Sequence, residues 1–223
     1  MRSKSSLFVL LLAAMVFSSA AQAVQKYSFR VAYGIESDSD LGEIISFQKP
    51  TDHKYRFDVL SLDAGYLLAP SLFELPLDLY IKGGTALFRS EDLSTYPELR
   101  GMKDASDKDV YEFTLYIKLY YNIDFLDNRV RIGFGEGGSY VTDYLAPEVI
   151  EERTKSPDDP KYSKYLNYLD ISLDVDIGRL FGVKSLYDTY LGYTLKHRSG
   201  IFGTINGVSG GSNYNTISIE KNF

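Results

Sequence analysis

The chain has no cysteine and no tryptophan in its 223 residues, and only 7 prolines. Without cysteine there is no disulfide framework, so if the chain is exported its stability must come from a packed core or from a membrane. Positive charge is scarce: 24 Lys and Arg stand against 30 Asp and Glu, a net charge of −6. Such a surface repels polyanions, which excludes nucleic acid as a partner. Long apolar runs are missing as well, since past the N-terminus no window approaches the roughly 18 residues a membrane-crossing helix needs. No internal repeat, low-complexity tract or domain boundary interrupts the chain, and 44% hydrophobic with 24% charged residues fits one ordered domain.

What is present begins with a leader. Arg2 and Lys4 precede the apolar run Leu7–Phe17, and small residues then lead to Ala21-Gln22-Ala23. That order is the pattern of a secretory signal peptide over residues 1–23, leaving 24–223 as the exported domain. Removing the two basic residues makes the remainder more acidic still.

The exported part has a period of two. Over Val110–Ile123 the residues Tyr111, Phe113, Leu115, Ile117, Leu119, Tyr121 and Ile123 alternate with Glu112, Thr114, Tyr116, Lys118, Tyr120 and Asn122. Over Tyr165–Ile177 the residues Leu169, Ile171, Leu173, Val175 and Ile177 alternate with Asp170, Ser172, Asp174 and Asp176. Three carboxylates in a row are costly inside a soluble sandwich but natural on the wall of a polar, hydrated lumen. The apolar face then meets lipid. On this reading Lys82, Lys118, Arg129 and Arg131 line the lumen and pair with the Asp row.

Strands are predicted near 55–68, 75–89, 109–123, 128–143, 163–178, 186–199 and 212–223. An eighth lies at the N-terminus, where 26–49 reads either as one bent strand or as two, and the even count expected of such barrels favours one. Ser90–Lys108, Tyr144–Tyr162 and Gly200–Ser212 are long connections, whereas Ala69–Glu74, Asp124–Asn128 and Gly178–Ser185 are short. Long and short alternate, as in an eight-stranded antiparallel β-barrel of the bacterial outer membrane with long outer loops and short periplasmic turns. The 19 Tyr and 13 Phe suit interfacial girdles, although these usually include Trp. Eight strands enclose only enough room for side chains, which argues against a diffusion pore.

Few motifs carry chemistry. Gly133-Phe134-Gly135-Glu136-Gly137-Gly138 spells a dinucleotide fingerprint, but no helix pattern follows it, so close packing in a strand is the better reading. Asp170, Asp174 and Asp176 would spread over roughly 20 Å along a strand, too far apart for a metal site. The acidic stretch Glu36-Ser37-Asp38-Ser39-Asp40 could attract a divalent cation bridging lipopolysaccharide, but surface-loop acidity is the commoner reading. Neither a metal nor an organic cofactor is expected.

The last hairpin is more informative. Parity from Leu191 and Leu195 puts His197 and Ser199 side by side on the lipid-facing side, at the outer end of their strand, and Asn213 on the same face of the next strand. That set suits nucleophilic catalysis, with Ser199 as nucleophile, His197 as base and the Asn213 carbonyl fixing the imidazole tautomer. Polar residues are also expected wherever a strand leaves the membrane.

His197-Arg198-Ser199, the Gly- and Asn-containing loop Gly200–Gly207, and Gly211-Ser212-Asn213-Tyr214 on a last strand ending at Phe223 resemble the PagL-type outer-membrane lipid A 3-O-deacylases. The resemblance runs from about Asn128 onward. It implies an acyl-ester hydrolase acting on lipid A from the outer leaflet, and Asn206 becomes a candidate oxyanion donor, although Asn206-Gly207 equally reads as a turn. The family's acid falls at Asn213, and the Asn that commonly follows its Ser is Gly200 here. A terminal aromatic such as Phe223 resembles the signal read by the outer-membrane assembly machinery. The rival expectation is a non-enzymatic, structural or lipopolysaccharide-contacting barrel working through its loops. Arg153, Lys155, Lys161 and Lys164 would reach lipid phosphates under either.

Overall fold

The computed structural model describes residues 25–46, 48, 57–89, 104–106 and 108–223; the leader and most of the Ser90–Lys108 connection lie outside them. Eight strands close into an antiparallel barrel in chain order, each paired with its neighbours and the last with the first. They are β1 (Tyr27–Ser37), β2 (Asp58–Ala69), β3 (Leu77–Arg89), β4 (Val110–Phe125), β5 (Asn128–Val141), β6 (Tyr165–Asp176), β7 (Thr189–Ser199) and β8 (Gly211–Asn222).

Side-chain direction follows the parity expected from the sequence. In β4, Tyr111, Phe113, Leu115 and Ile117 are exposed, while Val110, Glu112, Thr114, Tyr116, Lys118 and Tyr120 are buried. A barrel that buries Glu and Lys while exposing Phe and Leu is inside out relative to a soluble protein, and only a hydrocarbon surround makes that arrangement favourable. In β5, Gly133 lies in mid-strand, where a Cβ would run into Ser172 Oγ and the Lys118 stem; the glycine-rich run is therefore a packing device.

The interior departs from the expected hydrated lumen, because the charged side chains fill it themselves. Arg30 donates from Nε to Asp63 at 3.2 Å, from Nη2 to Tyr116 at 2.9 Å and, through both terminal nitrogens, to Asp170, which also accepts from Lys118. Lys82 donates to both oxygens of Glu220 at 2.8 Å and to Tyr120 at 2.9 Å. The Arg131 guanidinium reaches Asp174 at 3.1 Å and sits between the Tyr120 and Tyr190 rings. Lys118 and Arg131 thus meet the Asp row as expected. Lys82 and Arg129 do not: Lys82 crosses the lumen to β8, and Arg129 closes on Asp124 across the β4–β5 turn at 2.6 Å. In so narrow a barrel an opposite strand is as reachable as an adjacent one.

Three α-helices among the described residues were absent from the strand pattern. The 26–49 segment holds one strand and then a short helix, α1 (Leu41–Ile45), where the two-strand alternative had a second strand. α2 (Ala146–Lys155) lies in the long β5–β6 connection and plugs the mouth of the barrel at the end of the long connections, burying Leu145, Ala146 and Val149 against Phe88, Val141 and Tyr214. Its sequence has the usual marks of a helix, with Pro147 at the start, Glu148 in the first turn and Arg153 and Lys155 in the last. The third, α3 (Ile177–Leu180), is a single turn between β6 and β7 capped by Asp176, which accepts from Arg179 N–H at 2.9 Å.

Replacing Asp170 with Asn removes the shared anion of Arg30 and Lys118 and leaves two buried cations short of a partner. The expected loss is about 3–5 kcal/mol of unfolding free energy in detergent micelles, measured by urea titration.

Candidate functional site

His197 and Ser199 occupy the C-terminal end of β7, and Asn213 the facing end of β8. Register places His197 directly opposite Asn213, and Ser199 opposite Gly211 on one side and Asn167 on the other. His197 Nδ1 lies 2.7 Å from Asn213 Oδ1, and Asn213 Nδ2 donates to the Ser39 carbonyl at 2.9 Å.

These two contacts determine the ring's tautomer. A backbone carbonyl can only accept, so the NH2 end of the Asn213 amide must face Ser39, and its oxygen must face the ring. Nδ1 is then the nitrogen carrying hydrogen. Nε2 keeps its lone pair, as a proton acceptor requires. Ser199, by contrast, is not joined to His197: among the described residues no hydrogen bond links the two.

The surroundings differ from the bare lipid-facing wall expected. Asn213 is only 8% exposed, and Leu195, one turn of the alternation below His197, only 3%. The chain leaving β1 forms a strap over this face through Ser39 and then enters α1, whose Glu43 carboxylate accepts the Asp40 N–H at 3.2 Å. Ser39 is the residue the sequence reading missed; its only local signal is the Asp40-x-x-Glu43 capping pattern that starts α1 beside it.

Beside Asn213 the strap and the plug border a partly open pocket of about 250 Å3, lined by Asp38 and Asp40, by Ile150 and Lys155 of α2, and by Ser212 and Asn213 of β8. α2 is fixed to β7 and β8. Glu148 lies 2.8 Å from Arg198 Nε and accepts from Ser212 at 2.9 Å, and burial pushes its carboxyl above the usual range despite the facing guanidinium. Glu152 accepts the N–H groups of Ser209 and Gly210 at 2.8 and 2.7 Å.

Asn206 sits in a left-handed turn at φ 55°, and its amide donates to Ser163 Oγ at 2.8 Å, which matches the turn reading. The four basic residues in and beside the Tyr144–Tyr162 connection all have partners: Arg153 with Asp104, Lys155 with Glu151, Lys161 with Asp159, and Lys164 with the Thr142 carbonyl. The ion pairs among them are solvent-exposed and therefore weak, so a phosphate competes for them readily. Among the described residues no group of three or more His, Cys, Asp or Glu side chains is arranged to hold a metal ion.

No family model matches the chain, and no curated protein matches it significantly. Solved structures of similar shape exist. The outer membrane enzyme PagL aligns at 9% identity and a TM-score of 0.48, covering 87% of this chain and 98% of its own. Neisserial surface protein A (NspA) aligns at 12% and 0.46, covering 91% and 100%. The N-terminal beta-barrel domain of Pseudomonas aeruginosa OprF aligns at 10% and 0.41, covering 89% and 98%. The class to which this chain belongs is the eight-stranded outer-membrane-type barrel, as its own strand pairing defines. The likeness extends to architecture alone.

With only two histidines in the chain, His53→Gln leaves His197 as the sole imidazole. Nitrogen-15 NMR of that variant in micelles is expected to show the Nδ1-protonated tautomer at neutral pH. Adding Asn213→Leu is expected to return the ring to a tautomeric mixture, whereas an Nε2-protonated ring in both would refute the assignment.

Proposed function

We propose that the protein is an acyl-ester hydrolase of the bacterial outer membrane, acting on lipid A that reaches it sideways from the outer leaflet. The observation that carries the reading is the His197–Asn213 hydrogen bond. It leaves a lone pair on Nε2, two residues from a serine on the same outward face.

In this mechanism His197 Nε2 takes the Ser199 hydroxyl proton as Oγ attacks the ester carbonyl carbon of an acyl chain. The tetrahedral intermediate collapses by breaking the ester C–O bond, and the imidazolium returns its proton to the departing sugar oxygen. Water, deprotonated by the same nitrogen, then attacks the acyl-serine and releases a fatty acid, a 3-hydroxy acid if the PagL-like specificity holds. Asn213 keeps the ring oriented throughout. A neutral amide stabilises the imidazolium less than a carboxylate does. No metal or organic cofactor enters any step. Assembly through recognition of the terminal Phe223 belongs to the same reading.

A second reading is favoured by a specific observation, the missing hydrogen bond between Ser199 and His197. Under it the chain His197–Asn213–Ser39 is a latch that holds the strap against the barrel, and the protein is a structural or lipopolysaccharide-contacting barrel.

Mass spectrometry of lipid A separates the two. Cells making the wild type are expected to lose one hydroxyacyl chain from lipid A, and Ser199→Ala is expected to lower that turnover by at least about 10^3. Identical lipid A in both strains would leave the latch reading. Asn213→Glu is expected to raise turnover roughly tenfold, because a charged acceptor is worth about 1–2 kcal/mol more to an imidazolium. Unchanged or lower turnover would mean that Asn213 does not orient the ring for catalysis.

A further inference from the structure

Along β6 the residues turned outward are Tyr165, Asn167, Leu169, Ile171, Leu173 and Val175, and none of them is buried. Asn167 is the one amide in that row. Asn is uncommon in strands, and an unpaired amide in contact with hydrocarbon is costly. A polar residue placed where a strand leaves the membrane does not account for it, because Tyr165 stands beyond it toward the long connections. Among the described residues the Asn167 side chain makes no hydrogen bond.

Strand register gives the amide a neighbour. Asn167 lies directly opposite Ser199, with Gly138 on its other side. Directly opposed residues have Cβ atoms roughly 4.5–5.5 Å apart. Tyr165 folds across Gly138, where a Cβ would come within 2.7 Å of its Oη. The row therefore runs from an aromatic wall through Asn167 to Ser199 and on to Gly211, which has no side chain. His197 flanks Ser199 along β7, whereas Asn167 flanks it across the ladder, so a proton acceptor and a hydrogen-bond donor stand on two different sides of one hydroxyl.

The other donors around Ser199 are engaged. The Asn213 amide is held by Ser39 and the imidazole, the Asn206 amide by Ser163, the Gly211 N–H by Glu151, and the Gly200 N–H by the Gly210 carbonyl. Glu136, outward on β5 and opposite Leu169, is a diagonal neighbour of Asn167 at roughly 7–8 Å, and its carboxylate opposes negative charge near Ser199. A donor in contact with an oxyanion acts at less than half that distance.

We propose that Asn167 is the oxyanion donor of the Ser199 site, an assignment that rests on the hydrolase reading. As Ser199 Oγ bonds to the ester carbonyl carbon, the π pair of the C=O moves onto oxygen, and Asn167 Nδ2–H donates to that oxygen. When the ester C–O bond breaks, the pair returns and the carbonyl re-forms.

The wild type, Ser199→Ala and Asn167→Leu would be folded into micelles and assayed on lipid A and on a long-chain p-nitrophenyl ester. Asn167→Leu is expected to lower kcat by about 10^2–10^3 with KM little changed, the loss that follows removal of one such donor. Leu suits a lipid-facing row, so the same variant is expected to have a urea midpoint at or above that of the wild type. A lower midpoint would make Asn167 a structural residue and overturn the assignment. If Ser199→Ala is inactive while Asn167→Leu stays within about threefold of the wild type, Asn167 is not the donor and the hydrolase reading stands. If the wild type cleaves neither ester, both fall. A second measurement needs no turnover: reaction of Ser199 with a long-chain alkyl fluorophosphonate places a P–O oxygen where the oxyanion forms. The Asn167 side-chain amide, labelled with nitrogen-15, is then expected to shift downfield, and an unreactive serine or an unmoved amide overturns the proposal.

Discussion

The structure depends on one constraint: eight strands leave no room for water in the middle, so every charge turned inward must be met by another side chain. In the middle of the barrel the cations include Arg30, Lys82, Lys118 and Arg131, and the anions Asp63, Asp170, Asp174 and Glu220. Tyrosine hydroxyls of Tyr116 and Tyr120 occupy donor and acceptor positions left between them. Ion pairs buried in this way contribute little net stability against an apolar filling of equal volume. Their effect is on register. A slip of one residue would turn each of these charges toward hydrocarbon and bring apolar side chains inward, so the alternative pairings are excluded by the same groups that fill the lumen.

A wall of this kind fixes the candidate site at its rim. His197 and Asn213 face each other because β7 and β8 are in register, and that register is shared with Lys196 and Arg198, which point inward to Glu112 and Glu148. Residues alternate between two tasks along the same few positions: the even-numbered Arg198 and Ser212 bind the plug through Glu148 and Lys196 meets Glu112 of β4, while the odd-numbered His197, Ser199 and Asn213 face outward. The strap from β1 belongs to the same assembly, because Ser37 pairs with Asn213 in the ladder and Ser39 accepts its amide. The pocket beside Asn213 is lined by both the strap and the plug.

Much of this was legible in the sequence. Period two gave every strand within a few residues, and the alternation of long and short connections matches the order of connections in the barrel. Parity alone placed His197 and Asn213 on one face. Three things were not legible. Which cation meets which anion depends on reach across the lumen, as Lys82 and Glu220 show, and sequence spacing does not encode that distance. α2 was hidden inside a connection read only for its length, although Pro147 and the basic last turn mark it. The strap was invisible because its contact with Asn213 is made by a backbone carbonyl, to which no residue type at position 39 points.

The central claim is that the outward side chains need a hydrocarbon surround. Sedimentation of the urea-unfolded chain, diluted into plain buffer or into detergent micelles, tests it most directly. The account predicts a heat-modifiable, β-rich monomer in micelles and aggregates in buffer alone. A folded monomer in detergent-free buffer would contradict it.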